Sequence, residues 1–232
     1  MESTGRRIHA LEEKARESGN PLEALKYSDE AMLAYQKEGD TLGFAEILSA
    51  RVITLRHLNQ ETGDNNYLIL AKHTAQASVD IARESGDKSS LVLPLLNLGN
   101  VQEKLGEIDE AVKNFKESVE LMESNPPQLH NRPSVLANLK VHLTTCEYKT
   151  GDKSALERAE QALLELEQSE EPTKYNKDVW LSGAHMRIAA MLKSDNPVKA
   201  KEHLQKAREI IDRNQELTIR KKQWEKLSAS FV

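Results

Sequence analysis

Apolar residues recur along this chain at steps of three and four. Leu42, Ala45, Leu48, Val52 and Leu55 form one such run, and Leu91, Leu95, Leu98, Val101 and Leu105 another. Such steps stack side chains on one face of a 3.6-residue helix, so each run predicts an amphipathic helix set against a core. No stretch of useful length alternates with period two, which argues against strands. First helices are expected near residues 4–18, 41–61, 88–105, 130–150 and 174–194, and second helices near 21–38, 66–85, 108–123, 153–169 and 197–212.

The breaks between these runs are themselves periodic. Gly19-Asn20, Gly63-Asp64, Gly106-Glu107, Gly151-Asp152 and Asp195-Asn196 follow one another at 44, 43, 45 and 44 residues. A second series, Gly39-Asp40, Gly86-Asp87, Asn125-Pro126-Pro127 and Glu171-Pro172, falls between them. Glycine supplies a left-handed helix end, the following Asp or Asn can cap the next helix, and Pro21 and Pro197 sit where a first turn tolerates a missing N–H. Five copies of a helix pair, at 4–39, 40–86, 87–125, 129–170 and 173–213, follow as one solenoid domain over 1–232. Leu217, Trp224, Leu227 and Phe231 then mark one apolar stripe, read as a capping helix over 215–231.

The middle copy reads LNLGNVQEKLGEIDEAVKNFKESVELM from Leu96 to Met122. Its Leu98-Gly99 pair, the turn at Gly106, Ala111, Phe115 and Ser118 resemble the signature of a tetratricopeptide repeat. The other copies keep the second-helix spacing of four and then three: Ala24, Ser28, Ala31; Ala71, Ala75, Ser78; Ala159, Leu163, Leu166; Ala200, Leu204, Ala207. From turn to leading alanine the interval alternates between five and eight residues, which adds about one helical turn in the second and fourth copies. The period near 44 exceeds the ~34 usual in the family, so the resemblance is to a longer-helix variant. It implies an all-α, right-handed superhelix of five antiparallel helix pairs, non-enzymatic, with first helices lining a concave groove.

Composition suits a thin, elongated core: 38% hydrophobic, 4% aromatic and 30% charged. A net charge of −5 and a pI near 5.9 speak against nucleic acid and acidic membrane surfaces as partners. The charge is uneven, because the segment from Val198 onward has nine Lys or Arg against five Asp or Glu, including Arg220-Lys221-Lys222. That basic end reads as a solvated helix face or as a docking patch for an acidic partner. Cys146 stands alone, so no internal disulfide forms and a reducing, cytoplasmic setting is expected. The start, Met1 to Arg7, leads into charged helix, so no leader is expected, and no run approaches the ~20 apolar residues of a membrane span.

Catalytic chemistry finds little support. His142 and Cys146 share a helix face but lack a second His or Cys cluster, and no phosphate-cradling glycine loop occurs. No catalytic residue, metal or cofactor is therefore expected.

Aligning the first helices on their turns, as the resemblance implies, gives a groove lined by His57, Gln60, Leu93, Leu96, Asn97, Asn100, Glu103, Asn138, Val141, His142, Thr145, Tyr148, Met186 and Lys193. One specialisation of the family clamps carboxylate tails with Lys and Asn; here Asn100 and Arg187 match, whereas Leu96 and His142 replace two anchors. The expected function is a cytoplasmic protein-interaction scaffold or adaptor for a peptide or partner helix. The alternatives are a self-associating module that forms a homodimer through its terminal helix, and a regulatory or signalling module of a larger system. Exposed Trp224 and Phe231 would favour self-association, and their burial against Ile210 and Leu204 a cap.

Overall fold

The computed structural model describes residues 3–231; Met1 and Glu2, which open the segment expected to carry no leader, lie outside it, as does Val232. Among the described residues there are eleven α-helices and no strand: α1 (Thr4–Glu17), α2 (Pro21–Glu38), α3 (Thr41–Thr62), α4 (Asn66–Glu84), α5 (Val92–Leu105), α6 (Ile108–Ser124), α7 (Pro133–Lys149), α8 (Ala155–Gln168), α9 (Lys174–Leu192), α10 (Pro197–Asp212) and α11 (Thr218–Ala229). The contacts divide the chain into two compact units, residues 1–128 and 129–232.

In the first unit α1 pairs with α2, α3 with α4 and α5 with α6, while α1, α3 and α5 lie side by side. The best-matched repeat shows why. Phe115 of α6 is fully buried, and a Cβ on Gly99 of α5 would lie 2.7 Å from its ring. Only a bare backbone lets the two helices close on that ring. Ser118 Oγ donates to Val92 O at 2.7 Å across the same pair, and Ser78 Oγ likewise to Ala45 O between α4 and α3. Tyr35 of α2 is the other large anchor, wedged between Gly5 of α1 and Gly43 of α3.

In the second unit α7 pairs with α8 and α9 with α10, α7 packs beside α9, and α11 lies on α9 and α10. Its core gathers Val141, Leu163, Leu166, Ile188, Ile210 and Leu217, with Trp224 and Phe231 of the terminal segment packed against it. The Trp224 indole N–H donates to Leu204 O at 2.8 Å, and the Arg208 guanidinium lies 4.7 Å from the indole ring centre. Helix α11 therefore sits as a cap.

All fifteen residues of the alanine-led triplets are buried, so their register holds in every repeat. Boundaries move where local chemistry requires. Arg132 precedes Pro133 and is extended, so α7 begins at Pro133 rather than near 130, with His130 in a 3₁₀ turn. Residues Lys88–Leu91 form a 3₁₀ turn before α5, and Leu217 lies just before α11 rather than on it. The extra residues after Gly63 and Gly151 are shared between a longer turn and the following helix, because α4 starts at Asn66 and α8 at Ala155. They do not add a full helical turn.

Candidate functional site: the face of the first helices

Polar contacts hold the first helices of the first unit together. Glu12 of α1, fully buried, accepts from Thr54 Oγ1 of α3 at 2.7 Å and lies 3.4 Å from Arg16 Nε. Its second oxygen, Oε2, meets no donor, and burial pushes the carboxyl above the usual range against the opposing pull of Arg16 and Thr54. Arg6 of α1 pairs with Glu46 of α3. Between α3 and α5, Asn97 Nδ2 donates to Ser49 Oγ at 2.8 Å.

Asn97 is thus a spacer between repeats, 8% exposed, rather than an open groove amide. Asn100, also buried, donates to Leu96 O at 2.9 Å on its own helix. His57, Gln60, Leu93, Leu96 and Glu103 stand half-buried on α3 and α5.

In the second unit Asn138, Val141, Thr145 and Met186 are buried, and Thr145 Oγ1 donates to Val141 O at 2.7 Å. His142 is half-buried. Tyr148 donates to Asp195, and Lys153 Nζ reaches both Asp195 Oδ2 at 2.6 Å and the Tyr148 hydroxyl at 2.8 Å. The bond from Lys153 holds the Asp195 carboxyl below its ordinary value. Lys193 is exposed, its ammonium 5.4 Å from the Phe231 ring centre. Of the residues expected in the groove, the structure joins Asn100 to Leu96 and Thr145 to Val141, while Asn97, Tyr148 and Lys193 meet partners outside that set.

Three polar arrangements carry no sequence motif. Asp178 at the start of α9 is buried and accepts from Arg213 Nη2 at 2.7 Å and Asn214 Nδ2 at 3.1 Å, which ties down the turn after α10. Beside it opens a cleft of about 790 Å³, lined in part by Glu171, Lys177, Asp178 and Arg213. Glu171 accepts from Arg132 Nε at 3.0 Å and Ser134 Oγ at 2.7 Å, so Glu171 and Asp178 each already have a cationic partner. Third, His185 of α9 and His203 of α10 face each other with Nδ1 atoms 3.0 Å apart. Each of these arrangements joins residues far apart in sequence, which periodicity does not register.

Cys146 is buried and His142 half-buried on α7. Among the described residues no three His, Cys, Asp or Glu are placed to hold a metal ion, and no helix is long and apolar enough to cross a membrane.

No family model and no curated protein matches the chain. Solved structures do. BtubC (BKLC) from P. vanneervenii is similar at a TM-score of 0.65 and 18% identity, over 88% of this chain and 78% of that one. The TPR-like repeats of a putative kinesin light chain from Podosopora anserina align at a TM-score of 0.59 and 16% identity, over 90% and 97%. A single-substitution variant of those repeats gives 0.60 and 16%, over 90% and 95%. The fold is therefore that of the TPR-like helical repeats, as the sequence resemblance implied.

Proposed function

We propose that this TPR-like solenoid is a non-enzymatic protein-interaction scaffold that takes a peptide or a partner helix on the face built by the first helices of its first unit. The fold is one commonly used for protein interaction. The observation that carries the reading is the division of labour along that face. In the first unit Asn97 and Ser49, or Glu12 and Thr54, hold neighbouring helices, while His57, Gln60, Glu103 and apolar Leu96 on the same helices stay half-buried. Such a surface offers hydrogen-bonding groups for a backbone and an apolar foothold for a side chain. The buried, solitary Cys146 supports a reducing, cytoplasmic setting. The packing of Trp224 and Phe231 against the second unit's core supports a cap over a dimer face.

A displayed-peptide selection against the full chain, followed by affinity measurements, tests this. Gln60→Ala and Glu103→Ala, both on first helices of the first unit, are expected to weaken a selected peptide about five- to tenfold, or ~1–1.4 kcal/mol. Lys113→Ala, on an exposed second-helix face where Lys113 pairs with Glu110, should change nothing. Binding that survives both groove variants, together with concentration-dependent dimerisation lost on deleting 215–232, would replace this reading with self-association.

A further inference from the structure

His185 is 2% exposed and His203 7%, and their imidazole rings lie 5.2 Å apart between α9 and α10. A 3.0 Å approach of the two Nδ1 atoms needs one of them to carry a proton and the other to be bare, so the contact exists only while at least one ring is neutral. The surroundings add charges of both signs. From α8, Glu167 Oε1 lies 3.6 Å from His185 Nε2, and Glu160, paired with Lys199 at 2.5 Å, faces His203. From α10 itself come Lys199, Glu202 and Lys206, and Lys206 acts on both rings. Helix α11 meets the region through Trp224, whose indole holds the carbonyl of Leu204, next to His203.

We propose that the His185–His203 pair is an acid-sensitive latch that holds α10 and the capping helix α11 onto α9, closed while one ring is neutral and opened when both take up protons. Two imidazolium rings would set N–H against N–H at this distance, in a site that gives them little water. Burial, then His203 and then Lys206, depress the His185 pKa to about 3, and burial followed by Lys206 lowers that of His203. The sign follows. Below the ordinary value of 6.5 the unfolded or opened segment binds protons that the closed one refuses, so the closed state is favoured above that pH and loses ground as pH falls from 6.5 toward 3. The latch would act on the end of the array whatever ligand the first-helix face takes.

Hydrogen exchange of the full chain at pH 7.5 and 5.0, corrected for intrinsic rates, reads the opening. The opening constant of α10 and α11 is expected to rise up to about tenfold per pH unit for each ring that takes up a proton, with α7 and α8 rising less. In H185Q/H203Q, which can keep a polar contact but cannot titrate, that rise should vanish. A wild-type rise no larger than that of α7 and α8, or an equal rise in the double variant, overturns the proposal. Where the double variant does not fold, NMR titration of the wild-type rings decides. Rings that titrate together with the α10 and α11 amides support the latch, and rings that titrate near 6.5 while those amides stay put overturn it.

Discussion

Phe115 and Gly99 form a size-matched pair. The fully buried ring occupies the space that a Cβ on Gly99 would contest at 2.7 Å. Phe115→Ala is expected to cost ~3–5 kcal/mol in chemical denaturation. Gly99→Ala carries a helix-propensity gain of ~1 kcal/mol, but overpacking of ~1–3 kcal/mol should leave a net loss that Phe115→Leu partly relieves. Seven residues before its own turn, where Gly99 stands in the third repeat, the first repeat places Glu12, buried with one oxygen lacking a donor. Its carboxyl is raised mainly by burial, so stability held by the neutral form is present at low pH and lost as pH rises through the folded-state value. Glu12→Gln should therefore leave stability at pH 7 unchanged or higher by up to ~1 kcal/mol, whereas Arg16→Ala, which isolates the carboxylate, should cost ~3 kcal/mol. A pH series of urea midpoints on both variants checks this, and a large loss for Glu12→Gln would contradict it.

At the scale of helices, much of the architecture was legible in the sequence because burial of one face imposes a three-and-four spacing that needs only neighbours along the chain. The triplets from Ala24-Ser28-Ala31 to Ala200-Leu204-Ala207 are all buried where that spacing put them. Helix ends were less legible where a 3₁₀ turn or Pro133 shifted them. The candidate face was legible only in part. Alignment on turns places Asn97 and His142 equally well on first helices, but whether a polar side chain is spent on a neighbour depends on the facing helix. Ser49, the partner of Asn97, lies 48 residues away. Asn97→Ala should consequently cost ~1–3 kcal/mol by leaving Ser49 and its surroundings unpaired, and Lys113→Ala, at an exposed position, within ~0.5 kcal/mol. Equal effects of the two on thermal unfolding would show that the inter-repeat role of Asn97 is wrong.

Across the whole molecule, repetition explains the economy of the sequence. Each helix pair buries its own triplet, and the first helices within each unit add a face that belongs to no single repeat. The most direct test of the scaffold reading is amide chemical-shift mapping of the full chain with a selected peptide. Perturbations concentrated on α3 and α5, at Gln60, Leu96 and Glu103, are the expected result. Perturbations confined to the second helices or to α11, with those three residues unmoved, would contradict it.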